Sequence, residues 1–519
     1  MPDQMTFYKP YTGNVYVPDL GGVSPEELAF AMSRFSRSTD DLATSLTKVR
    51  SYQGDKKVEF FLENYHSYGH ASIGDQAPVV FAVQNVSMLS IFVIWQMLEL
   101  VAGQERSSRY QPFKKTGFSF CDSAGDGGPL PINYCDLGFT VYSKLHTALL
   151  ESFRQRYPDQ RFKDEGGWMD RTTLAGKLKK DPADISGSEL QEANEKQADR
   201  IRRARAFDIA RYLLPLATNT NACYIMSARN AERVISQLLS HEELPELQFI
   251  GQELLSKLTE GDTAIAPTLL KYAGYNNSLV SRHDHLYEIA RSLGITQRIN
   301  QSTPTSARVY IPQQEFPLLN IAARLLYPHC TCGWEQLTIY LKDCGPKMWD
   351  KIIDAGGWLR EAKEDFPRAA RGSEITVEFE MDIGAARDMN RHRGCWKQYQ
   401  WFTFGSLGWD MGDQTEVTAA GFHKEFTNAC SAMYNRSNIY ALPLAGLIRG
   451  VYHMSWPQFI YITELRSGPA GHFAYRHLTQ QMLDSLATSS PDMHKHLTAR
   501  INPDQYRFTR YELDNFFVR

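Results

Sequence analysis

A short repeat, separated by almost half the chain, constrains the fold more than any other feature of this sequence. Residues 212–217 read Tyr-Leu-Leu-Pro-Leu-Ala, and residues 440–445 read Tyr-Ala-Leu-Pro-Leu-Ala, 228 positions later. Duplication of a half-length unit would produce such a repeat in a chain of 519 residues. We therefore predict two related halves, with their boundary between Arg298 and Thr305, where polar turns mix with short helical patterns.

The composition excludes several classes of protein. With 43% hydrophobic and 22% charged residues, the chain can bury a sizeable core and is not a disordered protein. A net charge of −3 excludes a generally basic nucleic-acid coat, although it leaves room for a local basic pocket. The eight cysteines are scattered, which argues against a disulfide framework, and the N-terminus shows no signal-peptide pattern. We therefore expect a cytoplasmic protein that binds no nucleic acid.

The segment 76–98 carries no formal charge and is long enough to cross a membrane. Its amide and hydroxyl side chains would be costly in lipid, so we predict that it does not do so. A buried strand at Val79–Val83 that runs into a buried helix at Leu89–Ala102 is the better interpretation. No membrane partner is expected.

Other helices are indicated by their capping residues and periodicity. Ser24 followed by Pro25 and two acidic residues is typical of a helix start. A long helix is predicted at Leu190–Leu214, in which we interpret Arg202 and Arg203 as a solvated face.

No metal site is predicted. Cys330 and Cys332 follow a histidine, but no second Cys or His pair lies at zinc spacing, and buried, inert thiols are the default. His283 and His285 have no partner cluster and are typical of a surface turn. The chain also has no glycine pattern of the Rossmann or P-loop type, so a dinucleotide would have to bind by another route.

Three arginine-rich stretches are candidates for chemistry. In residues 104–110, two hydroxyls, backbone amides and a guanidinium on a turn would make an anion cradle, although spacing alone favours a capped helix end with surface charges. Residues 387–393 suit a phosphate-bearing or flat anionic cofactor, and equally an ion-pair network with Asp382 and Asp388. Residues 464–472 indicate a capped helix start with one candidate ligand, Arg466.

Taken together, these stretches resemble the flavin-dependent thymidylate synthases. That family carries Arg-His-Arg, a short spacer and Glu-x-Ser-x-Arg-Tyr, with His-x-Ser/Thr-x-x-Glu upstream and with Arg-x-x-Leu-Pro and a late Leu-Arg downstream. All of these pieces occur here, but they are divided between residues 1–298 and residues 299–519. The chain therefore looks like a tandem, divergent version of the family.

The resemblance implies the roles of individual residues. In the first half, it assigns the nucleotide substrate to Glu105, Arg106, Ser107, Ser108, Arg109 and Arg211, and the cofactors to Ser36, His70, Ser72, Asp75 and Arg229. In the second half, it assigns the flavin and folate to Arg391, His392 and Arg393, and the nucleotide to Arg466. The catalytic set would be Ser107, Arg109, Arg211 and Arg466.

The losses in the two halves are complementary. The first half lacks Arg-His-Arg, because the family spacing from Glu105 leads back to Met97-Leu98-Glu99, and Leu238 stands where the second half has Arg466. The second half lacks the substrate-binding stretch, and Ile439 stands where the first half has Arg211. We therefore predict one composite site to which both halves contribute. The larger offset of Arg-His-Arg would reflect an insertion in the first half, such as the polar segment from Lys163.

The family's chemistry sets the functional expectations. The resemblance implies an α+β fold of two related halves, each with an antiparallel or mixed sheet and a helical bundle. It implies FAD as cofactor, methylenetetrahydrofolate and NADPH as co-substrates, and methyl transfer to C5 of dUMP to give dTMP. It also implies a homodimer that acts as a pseudo-tetramer. The alternatives are the same chemistry on another pyrimidine nucleotide, or a non-catalytic protein that binds flavin or nucleotide.

Overall fold

The computed structural model describes most of the chain outside several gaps. The described residues are 20–36, 38–51, 71–97, 102–109, 111–113, 132–164, 168–260, 265–271, 273–277, 305–310, 317–327, 332–355, 374–400, 407–434, 438–468 and 471–494, with positions 18, 280, 292, 330 and 402. His70, Tyr110 and the predicted boundary at 298–304 lie outside these residues.

The elements alternate between helices and short strands. In the first half they are α1 (Pro25–Phe35), α2 (Leu42–Arg50), β1 (Pro78–Ser87), α3 (Met88–Met97), β2 (Ala102–Glu105), α4 (Ile132–Arg156), α5 (Asp159–Asp164), α6 (Arg171–Leu178), α7 (Gly187–Ala210), β3 (Asn219–Ser227), α8 (Ala228–Leu239) and α9 (Pro245–Thr259). In the second half they are β4 (Ser306–Tyr310), α10 (Pro317–Leu326), α11 (Trp334–Cys344), α12 (Pro346–Ile353), β5 (Glu374–Asp382), α13 (Ile383–Met389), β6 (Cys395–Tyr399), α14 (Gln414–Ala419), α15 (His423–Tyr434), β7 (Leu447–Ser455), α16 (Trp456–Ser467), α17 (Phe473–Ser489) and α18 (Pro491–His494).

The strands form two sheets with matching orders. One sheet has the order β1–β3–β2, and the other has the order β4–β5–β7–β6, so the second adds one edge strand to the same arrangement. In the second sheet all three pairings are antiparallel. This mixed architecture of helices and antiparallel sheets confirms the predicted α+β fold class.

Contacts divide the chain into two compact units. The first unit comprises Met1–Phe81, Tyr224–Glu242 and Leu247–Val280, and the second comprises Ala82–Cys223, Glu243–Glu246 and Ser281–Arg519. In the first unit α1 begins with a capping box, as its sequence predicts: Ser24 Oγ accepts from the N–H of Glu27, and the Glu27 carboxylate accepts from the N–H of Ser24. The division into residues 1–298 and 299–519 stays a prediction about sequence ancestry.

In the second unit the two repeated segments pair with each other. Leu216 N–H donates to Leu442 O (2.8 Å), and the equivalent bond runs from Leu444 N–H to Leu214 O (2.9 Å). Ala217 N–H donates to Tyr440 O (2.8 Å), and Ala445 N–H donates to Tyr212 O (2.9 Å). Each bond is repeated when 228 is added to one partner and subtracted from the other. The segments are therefore related by a local twofold axis through the bridge between Pro215 and Pro443.

The strand that leads into α3 and the strand that leads into α13 show a second equivalence. Met88 N–H donates to Thr218 O, and Ile383 N–H donates to Gly446 O, both at 2.9 Å. Leu89 N–H donates to Leu216 O, and Gly384 N–H donates to Leu444 O. The acceptors are 228 residues apart and the donors 295, so the first half carries extra residues between these points, as predicted.

The segment 76–98 is the predicted strand followed by a buried helix. Every side chain of α3 from Met88 to Trp95 is buried. Across the described part of the chain, none of the helices is both long and apolar enough to cross a membrane. The helix predicted to reach Ala102 ends at Met97, and Ala102 begins β2 instead. The reason is tertiary, because this segment adds to the edge of the sheet: Arg106 N–H donates to Asn221 O.

Candidate functional site

Arg109 joins the two halves of the sequence. The turn after β2 places its side chain in the second unit, where it is 6% exposed. Its Nε and Nη2 bind both oxygens of Asp208, at 2.8 and 3.1 Å, and its Nη1 donates to the hydroxyl of Tyr475 at 2.8 Å. Burial by itself would lower the pKa of Arg109, but the charge of Asp208 raises it above the usual value. The guanidinium is thus a permanent cation that already has a carboxylate partner.

Arg211 lies at the C-terminus of α7 and is only 1% exposed. Its Nη1 donates to Asp388 Oδ2 at 3.1 Å and to Ser108 Oγ at 3.4 Å. Its Nε and Nη2 have no hydrogen-bond partner within the described residues. Burial would raise the pKa of Asp388, but the nearby arginines, with Arg211 the strongest, hold that pKa far below its usual range. Asp388 is therefore ionised at neutral pH.

Glu105 is the partner of a second pair of arginines. Its carboxylate binds the guanidinium of Arg387 and lies 3.6 Å from Nη2 of Arg391. Burial and the neighbouring charge of Arg391 lower the pKa of Arg387 to about 10, so Arg387 stays protonated at neutral pH. Glu105 comes from the first half, whereas both arginines come from the second.

Arg466 is held between a histidine and a backbone carbonyl. Its Nε donates to His392 Nε2 at 2.7 Å, its Nη2 donates to Asp388 O at 2.7 Å, and its guanidinium lies 5.1 Å from the ring of Tyr475. Burial, and then the charge of Arg466, lower the pKa of His392 well below its usual value, so the imidazole is neutral. The prediction that Arg466 lies at a helix start is wrong, because it lies in the last turn of α16.

A pocket of about 470 Å³ opens beside this cluster. Its lining residues are Arg391, His392, Arg393, Gly394, Gln458, Tyr461, Leu465 and Arg466. Three guanidinium groups and an aromatic ring are the groups that bind a flat ligand carrying negative charge. Arg109 and Arg211 do not line this pocket and lie behind it as buried ion pairs.

The remaining predicted residues are placed as follows. Ser107 Oγ accepts from the N–H of Arg109, whereas Arg106 turns away and stacks over Phe113 at 4.4 Å. In the first unit, Asp75 pairs with Arg229 at 2.9 Å. There too, Ser36 is the C-cap of α1, and Ser72 lies in the 3₁₀ turn Ala71–Gln76. The structure thus brings together the predicted residues of the second unit, and separately Asp75 with Arg229.

Sequence reasoning missed several partners of these arginines. Asp208 was part of a long charged helix, and Tyr475 was one of several residues on the helix after Arg466, so neither carried a local signal. His472 N-caps α17 through its Nδ1, and its Nε2 lies 3.0 Å from Asp208 O. Their common feature is a charged or polar side chain at a buried helix position, which becomes visible only when the two helices pack.

The position related to this cluster by the local twofold is filled with apolar side chains. The strand register equates Arg106 with Gln400, since each donates its N–H at 2.9 Å to acceptors 228 residues apart, Asn221 and Arg449. By the same registers, Phe92 stands for Arg387 and Tyr399 stands for Glu105. Where one copy has an ion pair, the other has two rings with centroids 5.1 Å apart.

Comparison with known proteins identifies the family. Residues 22–262 match the family model described as thymidylate synthase complementing protein. This part of the chain belongs to that family, the flavin-dependent thymidylate synthases, which confirms the resemblance seen in the motifs. The family implies a thymidylate synthase-type activity in nucleotide biosynthesis.

Relatives of similar length extend the likeness to both halves. The chain is 24% identical over 462 residues to a UPF0159 protein of Chlamydia muridarum, covering 84% of this chain and 80% of the relative. It is 23% identical over 455 residues to one from Chlamydia pneumoniae, with coverages of 84% and 79%. A UPF0159 protein of Thermoplasma acidophilum is 23% identical over 489 residues, with coverages of 89% and 93%.

Proposed function

We propose that this protein catalyses flavin-dependent methylation of C5 of the uracil ring in dUMP, to give dTMP. Methylenetetrahydrofolate would be the carbon donor and NADPH the reductant. The observation that carries the proposal is the arginine cluster built from both halves: Arg109 with Tyr475, Arg211 with Asp388, and Glu105 with Arg387. Residues that occur together in a single motif of the family are here supplied by two distant parts of one chain.

The pocket fits an anionic flavin nucleotide. Arg391, Arg393 and Arg466 supply positive charge at its walls, and Nε of Arg391 has no hydrogen-bond partner among the described residues. Buried polar atoms of this kind normally have a partner, so an anionic ligand at this point is chemically reasonable. When bound, reduced FAD supplies the one-carbon transfer and hydride chemistry.

The side chains of the site bind and orient rather than react covalently. Neutral His392 accepts the hydrogen bond of Arg466 through Nε2, so that nitrogen fixes the guanidinium and is not free to take a proton. Cations held in fixed positions in a site largely closed to water stabilise negative charge as it develops on a substrate ring. Burial raises the pKa of Cys395 to about 11, which keeps its thiol protonated and unsuited to attack on the ring.

Arg466 provides the test of this function. We expect Arg466→Ala to weaken dUMP binding roughly ten- to a hundredfold, because a charge-assisted contact contributes ~1.5–3 kcal/mol. Arg449→Ala is the matched control, since Arg449 pairs with Glu380 within the second sheet and does not line the pocket. Isothermal titration with dUMP, in the presence of FAD, measures both. Equal affinities for the two variants and the wild type would contradict the proposal.

Two further features belong to the same proposal. We propose that two chains associate into a pseudo-tetramer of four related halves and that the protein acts in the cytoplasm. A different pyrimidine nucleotide as substrate is the second candidate, and the charge that surrounds Arg211 is the observation that favours it.

A further inference from the structure

A carboxylate of the protein lies among the arginines that the family motif assigns to ligands. Asp388 Oδ2 is 3.1 Å from Arg211 Nη1, and Asp388 Oδ1 is 4.0 Å from Arg391 Nη2. The backbone carbonyl of Asp388 accepts from Arg466 at 2.7 Å. The Asp388 side chain is 13% exposed, so solvent does little to screen it.

The other arginine assigned to the nucleotide is neutralised in the same way. Asp208 binds Arg109 through both carboxylate oxygens, and Tyr475 takes its remaining terminal nitrogen. The buried cations thus have carboxylate partners before any ligand arrives, whereas Arg391 and Arg393 face the pocket.

We propose that Asp388 is a specificity-determining residue that takes the place of a ligand phosphate beside Arg211. The site then recognises a uracil ligand by its base and sugar, and it accepts nucleosides about as well as nucleotides. This inference rests on the proposed function, because it assumes a uracil ligand at the same cluster.

The physical reason is competition between two anions for one set of cations. A 5′-phosphate at Arg211 would lie close to the ionised Asp388 in a poorly hydrated environment, where like charges repel strongly. The free Nε and Nη2 of Arg211 can instead be satisfied by a carbonyl or a hydroxyl, which adds no second negative charge.

The experiment measures the dissociation constants of deoxyuridine, dUMP and inorganic phosphate by isothermal titration, on the full chain. The variants are wild type, Asp388→Asn and, as a matched control, Asp199→Asn. Asp199 also pairs with arginines, but it lies on α7 with a partly exposed side chain, bonded to Arg154 and Arg203. Asparagine keeps the size and one acceptor oxygen of the aspartate and removes its charge.

For the wild type and Asp199→Asn, we expect the affinities for deoxyuridine and dUMP to agree within tenfold. For Asp388→Asn, we expect dUMP and phosphate to bind at least tenfold more tightly and deoxyuridine to bind as before. A wild type that prefers dUMP over deoxyuridine by a hundredfold or more would overturn the proposal, and this comparison needs no variant. An Asp388→Asn protein that binds deoxyuridine normally but gains nothing for dUMP would overturn it too.

One outcome separates this inference from the proposed function. If Asp388→Asn binds phosphate more tightly than the wild type does, but no variant binds either uracil compound, the role of Asp388 in excluding phosphate stands. The assignment of a uracil substrate, and with it nucleoside recognition, would then be wrong.

Discussion

The buried arginines of this protein all have partners that the local sequence does not announce. Arg202, interpreted from sequence as part of a solvated helix face, is 4% exposed. Its Nε donates to Tyr157 O at 3.0 Å, and its Nη2 lies 2.5 Å from Asp159. The interpretation was wrong because the partners lie at the start of α5, more than 40 residues away in sequence. A guanidinium can be buried when oxygens of a second element surround it.

Lys397 gives a prediction about pH at the residue scale. Its amine lies near the Arg-His-Arg turn and donates to Asn390 O, and burial lowers its pKa from 10.5 to about 8. Between these values the unfolded chain holds a proton that the folded chain has lost. The contribution of Lys397 to stability is therefore complete above pH 10.5 and is lost as the pH falls through 8.

The measurement is the free energy of unfolding at pH 8 and at pH 10. We expect Lys397→Met to remove a pH-dependent increase of ~1–3 kcal/mol between these values. Lys424→Met is the control, because Lys424 is exposed on α15. The same pH dependence in Lys397→Met and wild type would show that another group is responsible.

At the scale of elements, a close contact between strands gives the next prediction. Gly450 in β7 pairs with Tyr399 in β6, and a Cβ at Gly450 would lie 2.7 Å from the Tyr399 ring. That ring is held by a hydrogen bond between Tyr399 and Tyr452, so it cannot easily move away. We expect Gly450→Ala to lower the free energy of unfolding by ~1–3 kcal/mol.

The chain offers a matched control for this substitution. Gly176 lies in the exposed face of helix α6, and a Cβ there meets nothing within 4 Å. Gly176→Ala should therefore raise the free energy of unfolding by ~0.5–1 kcal/mol, since alanine loses less backbone freedom in a helix. Chemical denaturation measures both proteins, and destabilisation by the two substitutions alike would contradict the strand-contact explanation.

Elements were more accessible to sequence reasoning than their contacts. The strand and helix of residues 78–97 and the capped start at Ser24 follow from periodicity and capping chemistry, which are local. The end of α3 at Met97 was not predictable, because sheet pairing after it competes with helix propensity. For the candidate site, the motif arginines were recognisable, whereas Asp208 and Tyr475 were not, because they reach Arg109 across 99 and 366 residues of sequence.

The whole molecule yields a prediction about stoichiometry. Around the local twofold, the polar cluster has a counterpart in which Phe92 packs against Tyr399 and Phe402, at ring distances of 5.1 and 5.6 Å. Three packed rings leave no charged group to bind an anion at that position. We therefore expect isothermal titration with dUMP to saturate at about one equivalent per chain. Saturation at two equivalents would show that the aromatic position also binds ligand.

The hydrogen bonds repeated about Pro215 and Pro443 bear on how the two halves were able to diverge. In an assembly of identical subunits, every substitution occurs at all symmetry-related places at once, so a change that improves packing at one would damage binding at the other. A chain that holds both copies is free of that constraint. One copy could acquire Phe92 and Tyr399 as hydrophobic core while Arg387 and Glu105 stayed charged in the other. A single gene can in this way keep the geometry of a symmetric pair while each copy answers to a different selective pressure.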